Sequence, residues 1–246
     1  MVAMKYLVAG SATPTRRAGV ATTIGRDRDR NEDASLCGPS WYVVADGVGG
    51  RLGGDIASRM TVDAFTDRPA PHSVAEIAAA LSQVNLAIRK QARDTQLEGM
   101  ASTVAGVVMV GDGAVVFHVG DSRCYHLVDG RLDALTRDHS YVSELVDAGR
   151  ITSAEADRHR RRNIITRALG ADVSVCPDVR PIVGPVERLL LCTDGVSSVV
   201  TSEEIARLLA VRSHPQFVAD LMVETALANG STDDATVVIV DVSPDR

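Results

Sequence analysis

Aromatic side chains are scarce in this sequence: Phe, Trp and Tyr together account for 3% of its 246 residues, whereas 45% of the residues are hydrophobic. A hydrophobic core must therefore be built from Val, Leu, Ile and Ala, and the chain is long enough to form a substantial one. The 24% of charged residues completes a composition typical of globular proteins. No fixed-period repeat and no Pro- or Ser-rich linker divides the chain, so we expect residues 1–246 to form a single domain.

Long apolar runs are also lacking. No stretch approaches the ~20 residues that a helix needs to cross a bilayer, and MKYLVAG near the N-terminus is too short for a signal-peptide core. Cys37, Cys124, Cys176 and Cys192 show neither a CxxC pair nor a metal-ligand spacing. We therefore expect a cytoplasmic protein without a membrane partner, whose thiols are reduced and mostly buried.

Basic residues are not in excess. The chain has 26 Lys and Arg against 32 Asp and Glu, a formal net charge of −6. Surfaces that bind nucleic acid need a positive field, often interleaved with aromatic residues, and this sequence has neither. Nucleic acid is therefore excluded as an expected partner.

Helix and strand patterns are segregated along the chain, which favours an α+β fold over a doubly wound sheet. Capping signals predict one helix from Ser73 to about Asp94, a second that begins at Thr201, and a third over His214 to Asn229. A fourth helix is predicted over residues 54–66. Residues 103–136 contain short strands joined by tight turns, which indicates antiparallel pairing, and Asp129 with Gly130 is typical of a two-residue hairpin turn.

Acidic residues recur at the ends of predicted strands. Three apolar runs meet an aspartate followed by a small residue, in VVADGVGG (Asp46), FHVGDSR (Asp121) and LLLCTDG (Asp194). Asp233 and Asp234 precede the run ATVVIVDV, and Asn31 to Asp33 precede another apolar stretch. A lone Asp-Gly is usually only a turn. Repeated carboxylates beside buried strands, however, lose solvation unless a cation meets them, and hard divalent ions such as Mg²⁺ and Mn²⁺ prefer oxygen ligands.

The order of these motifs resembles that of the metal-dependent protein phosphatases of the phosphatase 2C type (the PPM family), in their compact bacterial form. The resemblance covers nearly the whole chain. The matching motifs are RDRNED (28–33), VVADGVGG (43–50), GMAST (99–103), HVGDSR (118–123), LTRDH (135–139), TRALG (166–170), LLCTDGVS (190–197) and STDDATV (231–237).

The resemblance implies a four-layer α-β-β-α sandwich of two antiparallel β-sheets with helices on both outer faces. It also implies that Asp46 bridges two Mn²⁺ or Mg²⁺ ions, that the Gly47 carbonyl completes the protein ligands of the first ion, and that Asp194 and Asp233 hold the second. Asp121 with Asp194 takes a third, weaker ion. Glu32 and Asp33 match positions that hold metal-bound waters, and Arg28 matches the arginine that grips the phosphate.

The activity implied by the resemblance is hydrolysis of phosphoserine and phosphothreonine in proteins, by in-line attack of a water that the two ions activate. Arg28 offers a planar fork for two phosphate oxygens. The implied partners are phosphorylated proteins, the substrates of a serine/threonine kinase, and a monomer is expected.

Residues 137–167 form a polar, helical segment between predicted strands and read as an inserted flap. The segment contains a capping box from Thr152 to Glu155 and a run of basic residues over 158–162. That run is either a solvated helix face or a cationic rim that steers phosphorylated substrates.

Two residues depart from the family pattern. Val48 stands where eukaryotic members have a histidine proposed to protonate the leaving alkoxide. Asp234 stands where asparagine is usual, and its extra charge either strengthens metal binding or displaces Asp233.

Other interpretations fit less well. Asp27 and Asp29 suggest the DxD of an aspartyl-phosphate phosphatase, but the preceding ATTIGR is not the apolar strand that such a nucleophile needs. A calcium loop requires glycine where Glu32 stands. The alternative from another class is a catalytically weak scaffold or sensor that binds phosphoproteins, which is expected to have lost metal ligands that are retained here.

Overall fold

The computed structural model describes residues 15–48, 53–111 and 113–243. The strands in these ranges are β1 (Thr15–Thr23), β2 (Asp33–Cys37), β3 (Trp41–Val48), β4 (Ala101–Ser102), β5 (Val104–Val110), β6 (Gly113–Val119), β7 (Arg123–Val128), β8 (Arg131–Ala134), β9 (Asp178–Pro181), β10 (Arg188–Cys192) and β11 (Ala235–Ser243). The helices are α1 (Gly54–Asp63), α2 (Val74–Thr95), α3 (Tyr141–Asp147), α4 (Ser153–Ala156), α5 (Asp194–Ser197), α6 (Ser202–Leu209) and α7 (Pro215–Ala228).

Two antiparallel sheets form the centre of the molecule. One sheet has the strand order β1-β11-β10-β7-β8, and the other has the order β2-β3-β5-β6-β9 with β4 paired to β3. The alternation of side chains along a strand explains why these sheets stack. In β3, Trp41 and Val43 belong to a core shared with α1 and α2, whereas Tyr42 and Val44 belong to the core between the sheets.

The same alternation is present in β11. Val237 and Ile239 pack in a core with α6 and α7, whereas Val238 and Val240 face the space between the sheets. Helices therefore cover both outer faces, and the predicted four-layer α-β-β-α sandwich is confirmed. Aliphatic residues fill most of this core, and the few large aromatic rings cluster, since Trp41 lies 5.0 Å from Phe65 between ring centroids.

Local signals located the helices well. Ser73 caps α2 by accepting a hydrogen bond from the Glu76 amide, and Thr201 with Glu204 forms the capping box of α6. The third predicted helix corresponds to α7, which has a proline at its first turn. The helix predicted over residues 54–66 ends three residues early, at Asp63. The hairpin turn is also confirmed, because Asp129 and Gly130 have φ angles of 49° and 74° between β7 and β8.

Two expectations were wrong. β3 does not end at Asp46: it leaves β5 after Val44 and continues to Val48 by pairing with β4. The cysteines are all free, but only Cys124 and Cys192 are buried, while Cys37 and Cys176 are exposed. The two exposed thiols lie at the end of the edge strand β2 and in the connection before β9.

The segment 137–167 lies between β8 and β9 and contains α3 and α4. Its two ends meet at a bridge between Ser140 and Ile165, and the Thr166 amide donates to the His139 carbonyl at 2.7 Å. The capping box of Thr152 and Glu155 is present at the start of α4. Within the described ranges, no helix is both long and apolar enough to cross a bilayer.

Candidate metal centre

Carboxylates from both sheets converge at one end of the sandwich. Asp33 begins β2 and stands directly opposite Asp46 of β3. Asp121 lies in the turn between β6 and β7, Asp194 begins α5 immediately after β10, and Asp233 lies two residues before β11. Because neighbouring strands run antiparallel, strand starts and strand ends meet at the same edge, which places these five side chains together.

The backbone is unusually close-packed around them. A Cβ atom at Gly47 would lie 2.3 Å from the carbonyl carbon of Gly54 at the start of α1, so no larger residue fits after Asp46. At Gly25 a Cβ would lie 2.4 Å from the Thr232 carbonyl oxygen. The backbone of β3 therefore packs directly against the start of α1, and the loop before β2 packs against the segment before β11.

The electrostatics of the cluster are those of crowded, like-charged groups. Burial, and then the charge of Asp194, raises the pKa of Asp46 well above its usual range. The same two causes raise the pKa of Asp33 strongly and that of Asp121 to about 7. Burial and the charge of Asp233 raise the pKa of Asp194 to about 6. Without cations, the site therefore favours the protonated carboxyl groups.

Unpartnered oxygens provide the test of whether this cluster fits metal ions. Asp33 Oδ1 and Asp121 Oδ1 are buried and have no hydrogen-bond partner among the described residues. Buried oxygens without a donor are costly, and a divalent cation satisfies several of them at once. The donor set is all oxygen, which suits Mg²⁺ and Mn²⁺ and not the softer metals.

Arg28 lies beside these carboxylates. Its Nη2 is 2.5 Å from Asp233 Oδ1, and its Nη1 is 3.7 Å from a carboxylate oxygen of Glu32. About a third of its side chain is exposed (35%), so the guanidinium is within reach of a ligand from solvent. Glu32 is more enclosed, and burial raises its pKa against the opposing effect of Arg28.

Several hydroxyl groups of the site were not identified from the sequence. Thr193 Oγ1 donates to Asp33 Oδ2 at 2.8 Å, and Thr103 Oγ1 accepts a hydrogen bond from the Asp46 amide at 3.0 Å. Thr103 also contacts Ser122 through a hydroxyl pair at 2.7 Å. Thr193 and Ser122 are adjacent to Asp194 and Asp121 in the sequence, which was an available signal, whereas Thr103 has no neighbouring aspartate in the sequence.

A second group of ligand-type side chains, His118, His139 and Asp178, lies between the sheets and the base of segment 137–167. The imidazole rings are stacked, with centroids 4.4 Å apart, so their in-plane lone pairs do not converge on one ion. His118 Nε2 is 2.8 Å from the Arg137 carbonyl, and burial lowers the pKa of His139 to about 4. The two histidines are therefore a stacked pair of neutral rings, each hydrogen-bonded to the backbone, that holds this segment in place.

Comparison with known proteins agrees with the site. The family profile described as protein phosphatase 2C matches residues 26–231. Serine/threonine protein phosphatase PstP of Mycobacterium tuberculosis is 37% identical over 224 residues, which cover 89% of this chain but 43% of PstP. Serine/threonine phosphatase stp of Listeria welshimeri is 34% identical over 237 residues, covering 89% of this chain and 93% of that protein.

The fold matches as well. The crystal structure of the catalytic domain of PstP in complex with two manganese ions superposes with a TM-score of 0.83 at 34% identity, over 93% of this chain and 99% of that one. These findings confirm the predicted family and, at the level of the family, the predicted class of enzyme. On the fold, the motifs and these relatives together, the chain belongs to the protein phosphatase 2C family.

Proposed function

We propose that this chain hydrolyses phosphoserine and phosphothreonine in proteins with the help of divalent metal ions. The observation that carries the proposal is the convergence of Asp46, Asp194 and Asp233 beside Arg28, with pKa values of the first two raised by burial and mutual repulsion. Such a cluster is stable in its charged form only when cations occupy it.

The proposed ligands are Asp46, bridging two ions, with the Gly47 carbonyl on the first ion and Asp194 and Asp233 on the second. Asp121, whose Oδ1 lacks a partner within the described ranges, is proposed to hold a third and weaker ion with Asp194. Glu32 and Asp33 are proposed to bind waters of the metal site, an outer role that still affects metal affinity. Two Mn²⁺ or Mg²⁺ ions, when bound, supply the Lewis acidity that activates water for attack on phosphorus.

The protein's own contribution is to orient the phosphate. Arg28 offers two parallel N–H donors, which suits a bidentate contact to a phosphoryl group and stabilises the charge that grows as the ester breaks. In this chain its guanidinium is held by Asp233, so it is positioned before a ligand binds. Val48 has no proton to give, and the leaving alkoxide is proposed to take its proton from water.

The proposed substrates are phosphorylated proteins that a serine/threonine kinase has modified. We further propose that the protein acts as a monomer in the cytoplasm, with neither nucleic acid nor membrane as partner. PstP binds two manganese ions in its crystal structure, which supports Mn²⁺ as one of the ions used here.

The test is hydrolysis of a phosphothreonine peptide by chelator-treated protein during titration with Mn²⁺ and Mg²⁺. We expect no turnover without metal and recovery on addition. Asp46→Asn and Asp194→Asn should lower kcat by about 10²-fold or more, because metal binding contributes several kcal/mol to the transition state. Asp121→Asn should retain part of the activity, and excess metal should restore more of it.

The scaffold alternative gives a different result. Such a protein would bind the phosphopeptide without turnover at any metal concentration. Full activity in chelator, or normal kcat in Asp46→Asn, would contradict the proposed ligands.

A further inference from the structure

Asp234 is the residue that departs from its family's usual asparagine, and its side chain is buried, with 3% of the residue exposed. Both carboxylate oxygens accept hydrogen bonds from backbone amides. Oδ1 accepts from Gly25 at 2.7 Å, and Oδ2 accepts from Glu32 at 2.7 Å. Neither donor is close to Asp234 in sequence, so the contact is a tertiary one.

The two amides are the two ends of the loop that carries Arg28. Residues 25–32 contain neither helix nor strand, and Arg28 lies near the middle. The tip of this loop is held by Asp233 Oδ1, which is 2.5 Å from Arg28 Nη2 and also accepts the Asp234 amide at 2.8 Å. Adjacent aspartates therefore hold the loop at different points: Asp233 at the arginine and Asp234 at both ends.

The loop has other contacts, but they hold its C-terminal half: Asn31 donates to Thr22, the Gly47 amide donates to the Glu32 carbonyl, and Arg30 pairs with Asp55. Between the loop and the segment before β11, the remaining backbone hydrogen bond in the described structure joins the Asp27 amide to the Thr232 carbonyl at a long 3.4 Å. Within the loop, the Arg28 amide donates to Gly25 at 3.1 Å, which fixes a turn but not its place in the molecule.

The chemistry of the contact explains why a carboxylate stands here. Two N–H donors point at one side chain, and a carboxylate is an acceptor at both oxygens, whereas an amide is an acceptor at one atom and a donor at the other. An asparagine in this geometry would direct an NH₂ group at a backbone N–H. Charge-assisted hydrogen bonds are also stronger than neutral ones.

We propose that Asp234 is a positioning residue that clamps both ends of loop 25–32 and thereby holds Arg28 in place for the phosphate. The inference rests on the proposed phosphatase function and deepens it. It explains the aspartate at position 234, where the family usually has asparagine, by the placement of Arg28 and not by an effect on metal affinity. Asp233 makes a separate contact with Arg28, so the two adjacent aspartates hold the loop at different points.

Double-mutant kinetics test the dependence on Arg28. With the phosphothreonine peptide and saturating Mn²⁺, Asp234→Ala should lower kcat/KM by about 10-fold or more, since two charge-assisted hydrogen bonds are lost. Asp234→Asn keeps one acceptor and should give a smaller loss in the same direction. In an Arg28→Ala background, either change should cost less than about 3-fold, because residues that act through one another are not additive.

The matched control is Asp241→Asn, at the other end of β11. Asp241 also accepts two hydrogen bonds, from Arg188 at 2.5 and 2.8 Å, but lies far along the strand from the site. It should lower the melting temperature without changing kcat/KM. Equal losses from Asp234→Asn with and without Arg28, or a change confined to the Mn²⁺ midpoint, would overturn the proposal.

A second measurement does not depend on catalysis. Amide hydrogen exchange at Gly25 and Glu32 in Mg²⁺ buffer should accelerate by about 10-fold or more in Asp234→Ala, and at one of the two amides in Asp234→Asn. Unchanged protection at both amides would overturn the clamp even if activity fell. A wild-type protein that hydrolyses no phosphopeptide would contradict the proposed function instead, and the exchange result would still decide whether the clamp exists.

Discussion

Asp33 and Asp46 face each other directly across two paired strands, an arrangement that is destabilising for like charges. Neighbouring hydrogen-bond donors offset only part of this repulsion. Thr193 donates to one oxygen of Asp33, and the other oxygen has no partner within the described residues. Local instability of this kind is typical of functional sites. At the scale of single residues, these two carboxylates therefore destabilise the strand pair that carries them.

Arg28→Ala tests whether the guanidinium grips the phosphate. Losing a charge-assisted, bidentate contact should cost roughly 1.5–3 kcal/mol. That loss corresponds to about 10- to 150-fold in kcat/KM. Steady-state rates on a phosphothreonine peptide at saturating Mn²⁺ measure it.

Arg26→Ala and Arg30→Ala are the controls, because they remove the same charge from the same loop. Arg26 is exposed, and Arg30 pairs with Asp55 at 3.4 Å and not with Asp233. Each should change kcat/KM by less than about 3-fold, since exposed charges contribute little. Equal losses in all three variants would mean that only general positive charge matters, and the assigned role of Arg28 would be wrong.

The sequence predicted which aspartates lie together in the cluster but not how they are held. Aspartates at strand ends stand out locally, because the apolar run and the following small residue are visible in a few letters. The partners of Asp33 and Asp234 are not visible in this way: Thr193 is 160 residues from Asp33, and the Gly25 amide is 209 residues from Asp234. Such contacts depend on which strands become neighbours, which one sequence does not specify.

At the scale of elements, features that depend on neighbouring residues could be predicted from the sequence, and features that depend on distant residues could not. The caps of α2 and α6 are formed by residues three apart, so the sequence alone located both helices. The continuation of β3 past Asp46 depends on β4, a two-residue strand more than 50 positions away. Nothing in the letters around Asp46 indicates this second partner.

The arginine run lies on an exposed part of segment 137–167, after α4. None of the ion pairs in the described part of the chain involves Arg158, Arg160 or Arg162. Arg161 instead lies over the Tyr141 ring at 5.5 Å. Uncompensated cations in an otherwise acidic protein create a local positive field that acts over roughly 10 Å at 0.1 M salt.

Replacing Arg158, Arg160 and Arg162 together by Gln tests whether this field attracts substrate. We expect KM for an acidic phosphopeptide to rise by about 3- to 10-fold at low salt, with kcat unchanged, and the difference to vanish near 0.5 M salt as the charges are screened. The control replaces the exposed Arg93, Arg207 and Arg212 by Gln, which changes net charge equally. A similar rise in KM in both triple variants, or in neither, would mean that the basic run over 158–162 is a solvated surface without a role in attracting substrate.

At the scale of the whole molecule, one apolar core lies between the two sheets and one lies on each outer face, while the carboxylates occupy one end. The cores account for the stability of the fold, because the central strands β3, β5, β6, β10 and β11 contribute buried aliphatic residues on both faces. The carboxylates at one end lower the stability of the fold, since each ionised group there repels its neighbours. Stability in the absence of metal should therefore depend on pH in a way that the cores alone would not produce.

The sign of that dependence follows from the raised pKa values. Asp121 and Asp194 have pKa values of about 7 and about 6 in the folded protein, above the usual carboxyl value, so the folded state binds more protons than the unfolded chain in this range. Their stabilising contribution is present at acid pH and is lost as the pH rises through about 6 to 7. In chelator, the melting temperature should fall between about pH 5 and pH 8, and Mn²⁺ should restore it at pH 8 by mass action.

Asp46→Asn should stabilise the metal-free protein at pH 8, although the same change should lower kcat strongly. Removing one charge from the cluster should raise the melting temperature of metal-free protein at pH 8 by about 3 °C or more, because 1 kcal/mol corresponds to about 2–4 °C in a chain of this size. Asp241→Asn, which breaks the pair with Arg188, should lower the melting temperature at every pH by leaving that arginine half-paired. A metal-free melting temperature that rises toward pH 8, or a less stable Asp46→Asn variant, would mean that these carboxylates are not held in mutual repulsion.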